Sequence, residues 1–62
     1  MRMNTIITKD DLLMMLDKMN ECGAERIKLE VSISSYDGEL RYIDFDAWSK
    51  DNVFIRTLLT LE

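Results

Sequence analysis

The stretch RIKLEVSISSYDGELRYIDFDAW, residues 26 to 48, carries two runs of alternating side chains on either side of a turn. In the first run Ile27, Leu29, Val31 and Ile33 alternate with Arg26, Lys28, Glu30, Ser32 and Ser34. Successive side chains of a strand point to opposite faces, so this pattern predicts a strand with one apolar and one polar face. Tyr36, Asp37 and Gly38 supply the turn, and the loop length sets the register. A two-residue Asp37-Gly38 loop would place Val31 opposite Asp44. A three-residue loop, Tyr36 to Gly38 with Gly38 left-handed, places Leu29 opposite Phe45, Val31 opposite Ile43 and Ile27 opposite Ala47. Directly opposed residues share a face, so the second register builds a continuous apolar face and the first puts an acid into it. The expected hairpin therefore spans about residues 26–35 and 39–47 with the three-residue loop.

Upstream, Thr8 and Asp11 have the spacing of a helix N-cap, with an acid near the positive end of the helix dipole. Ile7 and Leu12 are placed to form a hydrophobic staple, and Gly23 to end the helix in the left-handed conformation. A helix is expected from Lys9 to Cys22, burying the stripe Leu12, Met15, Leu16 and Met19. On this reading Met14 projects from the side of Asp10, Asp17 and Glu21, with Leu13 on the flank. Residues 3 to 7 are candidates for a short additional strand.

Downstream, Ser49-Lys50-Asp51-Asn52 before Val53 echoes the cap at Thr8. The echo predicts a C-terminal helix with Val53, Phe54, Leu58 and Leu61 on one side. The alternative is a third antiparallel strand, favoured by the alternation of Val53, Ile55, Thr57, Leu59 and Leu61 and by the poor helix propensity of Thr57 and Thr60. Both readings give a single small α+β domain, an N-terminal helix packed on a β-hairpin.

Composition sets limits on function. A chain of 62 residues has a thin core, and the usual reinforcements are missing: Cys22 is the sole cysteine and there is no histidine. Neither an intrachain disulfide nor an ordinary zinc site is expected, and association, as a homodimer or with a larger partner, is the remaining source of buried area. The leading residues MRMNTIIT do not read as a signal peptide, and no run reaches the ~20 apolar residues of a membrane span. The expectation is a soluble cytoplasmic protein. Net charge is −4, and all the excess acid lies beyond residue 28. Direct binding to nucleic acid or an anionic membrane is disfavoured.

No spacing specifies a reaction. Glycine-rich phosphate loops and CxxC pairs are absent from the sequence, and YDGE lacks the acidic spacing of a calcium loop. Cys22, at a helix C-terminus without a histidine, reads as a small buried residue rather than a nucleophile. Neither catalysis nor a cofactor or metal is expected; the alternative of a small carboxylate-dependent enzyme would need desolvated acids that a two-stranded surface does not offer.

The candidate site is the polar face of the hairpin, where the favoured register sets Glu30 opposite Asp44, Lys28 opposite Asp46 and Ser32 opposite Tyr42. Glu30, Glu39, Tyr42, Asp44 and Asp46 form an acidic patch with an aromatic inside it, suited to receive Arg or Lys from a protein partner. One version is an inhibitor or regulator occupying a basic groove of a nucleic-acid-handling protein; in size and charge alone the chain resembles phage-encoded inhibitors of host defence. The other version is a structural accessory subunit or homodimer joined through Leu13 and Met14. Trp48 is expected to close the core between the hairpin and the last segment, with interface anchoring as its alternative role.

Overall fold

The computed structural model describes residues 6–62. Its elements are helix α1 (Lys9–Cys22) and strands β1 (Arg26–Ile33), β2 (Leu40–Trp48) and β3 (Phe54–Leu61). The strands form one antiparallel sheet in the order β1-β2-β3, and α1 lies on one of its faces. Of the short strand expected over 3–7, residues 3–5 fall outside the described residues, and Ile6 and Ile7 belong to no regular element.

α1 forms where the spacing predicts. The Thr8 hydroxyl accepts from the Asp11 N–H at 3.1 Å while the Asp11 carboxylate accepts from the Thr8 N–H at 3.0 Å, a reciprocal cap on two donors that the helix itself cannot satisfy. Gly23 ends the helix at φ 71°, a left-handed conformation that costs a side-chain-bearing residue.

The hairpin adopts the expected register over most of its length. Leu29 faces Phe45, Val31 faces Ile43 and Ile27 faces Ala47. The turn is one residue longer than expected: Ser34 donates to the Glu39 carbonyl and accepts from the Gly38 N–H, with Gly38 at φ 72°. A bulge absorbs the extra residue, since Ile33 pairs with Leu40 and Ser32 with Tyr42, leaving Arg41 over.

The last segment is the strand β3, not the expected helix. Ser49 does not cap a helix; its hydroxyl accepts from the N–H groups of Asp51 and Val53, and its own N–H donates to the Val53 carbonyl. Asn52, at φ 62°, completes a tight turn that returns the chain antiparallel to β2. Branched and aromatic side chains at 53–57 favour this outcome, and the third strand gives a two-stranded sheet the width it needs.

β3 also changes how the helix sits. Phe45 pairs with Leu59 and Asp46 with Thr57, so Leu58 is an extra residue in the ladder. Leu58 is buried with Met15, Phe45 and Ala47, and these four are the buried apolar residues among those described. The Lys18 ammonium donates to the Leu58 carbonyl at 3.1 Å, tying one flank of α1 to β3. Met14, on that flank, is half-buried against the core, contrary to the expected exposure. Leu12 and Leu16, expected inside, are 52% and 55% exposed. The expected stripe assumed a helix centred on a hairpin; with β3 to lean on, α1 rolls toward its Met14 and Lys18 side.

Candidate functional site

Two surfaces bear on function. The first is the polar face of the sheet. Glu30 stands opposite Asp44 and Lys28 opposite Asp46, as the register requires. Neither aspartate is a free acid on that face. The Thr60 hydroxyl donates to Asp44 Oδ1 at 2.7 Å and the Thr57 hydroxyl to Asp46 Oδ1 at 3.0 Å, and Asp46 is only 5% exposed. Buried carboxylates require such donors, and these two come from β3. The Lys28 ammonium sits 4.9 Å from the centre of the Trp48 ring, a cation–π placement. Trp48 meets Phe54 edge to face at 5.9 Å. Because Trp48 is opposite Arg26 and beneath Lys28, it packs on the polar face and does not close the core under the helix. Arg41 reaches the Ser34 hydroxyl, not the Glu30–Asp44 pair.

Glu30, Glu39 and Tyr42 remain accessible on this side, whereas Asp44 and Asp46 are engaged within the sheet. Glu39 lies at the turn, where its N–H donates to Asp37 Oδ1. The acidic patch is therefore narrower than its sequence suggests. The expected helix hides the threonine donors, whose spacing opposite the acids is visible only once β3 is paired.

The second surface is the apolar face of β1. Ile27, Leu29, Val31 and Ile33 point to the helix side of the sheet but are 39%, 56%, 50% and 61% exposed. The helix does not reach them, because its tied flank lies over β3. Around α1, Leu12 and Leu16 lie on the other side of Met15 from Met14 and Lys18. With Lys18 tied to β3, they lie on the flank of α1 away from that tie. Together with the β1 row they make a strip of exposed apolar side chains. Its six side chains are each 39% to 61% exposed. Leu13, also on α1, is 51% exposed.

The described residues include no group of three or more His, Cys, Asp or Glu side chains placed to hold a metal ion. No described helix is long and apolar enough to cross a membrane. Cys22 is a free thiol, half-buried against the core, and its sulfur contacts the Met19 carbonyl. No family model, curated protein or solved structure matches the chain. Functional inference therefore rests on the two surfaces themselves.

Proposed function

We propose that this chain is a protein-interaction module whose contact surface is the apolar strip between β1 and the Leu12 and Leu16 flank of α1. The observation that carries the reading is the exposure of four consecutive inward-facing residues on one strand, Ile27, Leu29, Val31 and Ile33. A strand pattern this regular specifies a covered face, and the described residues supply one helix to cover three strands. Strands lie about 4.8 Å apart and a helix is about 10 Å across, so the uncovered strip matches one further helix lying beside α1. The partner of this chemistry is an amphipathic helix: apolar on the face that meets β1, and basic on its flanks to suit a chain of net charge −4.

A second reading keeps the polar face as the contact, with Glu30, Glu39 and Tyr42 as its accessible members. In that version the chain is an inhibitor or regulator that occupies a basic groove. It is the smaller surface, and two of its acids are already hydrogen-bonded within the sheet.

Affinity capture from the source cell separates the readings when three baits are run in parallel. Leu16→Gln with Val31→Thr changes the strip while keeping local helix and strand preferences. Glu30→Gln with Glu39→Gln removes accessible acids. Loss of a captured protein by the first bait and its retention by the second supports the strip. The reverse supports the polar face, and a partner indifferent to both pairs of substitutions contradicts both readings.

A further inference from the structure

Among the described residues no strand pairs with the outer edge of β1, and this leads to a separate conclusion. Ser34 turns both its N–H and its carbonyl toward β2, where they meet Glu39 and Gly38. Backbone direction alternates along a strand, so Ser32, Glu30, Lys28 and Arg26 also face β2. Ile27, Leu29, Val31 and Ile33 then present their N–H and carbonyl groups on the outer edge. That edge is eight residues long, has no proline, and is not bulged itself, because the bulge at the turn lies on β2. The opposite edge is different: the pairing of β3 with β2 is interrupted twice, and Lys18 occupies the Leu58 carbonyl. Interruptions in the ladder are among the usual devices that stop an edge from pairing.

We propose that β1 pairs antiparallel with β1 of a second copy about a twofold axis through Leu29, giving a continuous six-stranded sheet. Only registers that oppose odd-numbered residues can use the free backbone groups. Centring on Lys28 or on Glu30 sets like charges face to face. Centring on Leu29 sets Lys28 opposite Glu30 of the partner subunit, twice by symmetry, and brings Ile27 against the partner's Val31. Opposite charges directly across a strand pair are favourable and like charges unfavourable. This register also accounts for Glu30, an acid held opposite Asp44 within its own hairpin. The partner's Lys28 supplies a positive charge directly across from Glu30, where its own sheet sets Asp44 opposite and holds Lys28 over Trp48. Both helices fall on the same face, and the two apolar rows of β1 become one floor between them. The pairing uses the edge, not the face, so it stands independently of the docking reading above.

Light scattering across a concentration series, with amide hydrogen exchange at its two ends, tests the pairing. The wild-type chain forms a dimer as concentration rises, and the amides of Ile27, Leu29 and Val31 gain protection with it. Glu30→Lys puts lysines opposite each other and weakens the dimer by roughly tenfold or more, while the monomer melts no lower because the opposition to Asp44 is gone. Mixing Glu30→Lys with Lys28→Glu restores opposite charges at both pairs and recovers the dimer. Val31→Pro removes an edge N–H that no internal bond uses, so it prevents dimerisation and leaves the circular dichroism of the monomer in place. Should Lys28→Glu not fold, Glu30→Lys and Val31→Pro decide the matter. A wild-type chain that stays monomeric at about 1 mM, or a dimer untouched by Val31→Pro, overturns the pairing. A dimer lost with Val31→Pro but indifferent to Glu30→Lys overturns the register centred on Leu29.

Discussion

Replacing Met15, Leu29 and Leu16 by alanine, one at a time, measures where the core ends. Met15 is 2% exposed and packs among Phe45, Ala47 and Leu58, so Met15→Ala opens a cavity as well as forfeiting transfer energy. Such truncations cost about 2–5 kcal/mol. A core of this size supplies only about 3–5 kcal/mol in total, which leaves Met15→Ala near the unfolding midpoint without denaturant. Leu29 is 56% exposed, so less than half of its roughly 2 kcal/mol of burial is at stake, and Leu29→Ala is expected to cost about 1 kcal/mol. At Leu16, 55% exposed on a helix, alanine's slightly better helix propensity trims a similar transfer loss, and the cost is expected to be about 0.5–1 kcal/mol. Urea denaturation followed by circular dichroism, at the lowest workable protein concentration, gives the costs at Leu29 and Leu16 from the midpoints, and the folded fraction without denaturant gives the cost at Met15. Equal costs for Met15→Ala and Leu29→Ala would refute the reasoning, because they would mean that the floor of β1 is covered in the free monomer.

The capping and hydrogen-bonding groups give further expectations. Thr8→Ala removes the hydroxyl that accepts from Asp11, and thermal denaturation should show a loss of about 1 kcal/mol. Gly23→Ala forces a side chain into a left-handed conformation at φ 71° and should cost about 1–2 kcal/mol by the same assay, although no atom crowds the new methyl. Thr57→Val removes the donor to the nearly buried Asp46 and should cost about 1–3 kcal/mol. Thr60→Val, beside the more open Asp44, should cost less than Thr57→Val in the same denaturation series.

The hairpin and first helix were legible because each rests on local chemistry. Alternation fixes which residues of β1 share a face, the apolar match of Leu29 with Phe45 fixes the register, and Thr8 with Asp11 fixes the helix start. β3 was not legible as a single answer. Ser49 has the chemistry of a cap, and that chemistry serves equally for the tight turn it makes with Asp51 and Val53. Two further features depend on β3 and on no local pattern: Thr57 and Thr60 as donors to the acids, and the roll of α1 toward β3. The apolar strip depends on that roll, because periodicity tells which side chains share a face but not whether anything covers that face. The acidic residues were conspicuous in sequence for the opposite reason: charge is visible without structure, whereas its satisfaction by Thr57 and Thr60 is not.

The central claim is that this molecule works through the β1 side of its sheet. Hydrogen exchange read by mass spectrometry, comparing the purified chain with the same chain in complex with the protein captured from its source cell, addresses it most directly. The account predicts new protection in residues 26–33 and in the first half of α1, around Leu12 and Leu16. Protection confined to the turn at 36–42, or to β3, with β1 and α1 unchanged, would contradict it.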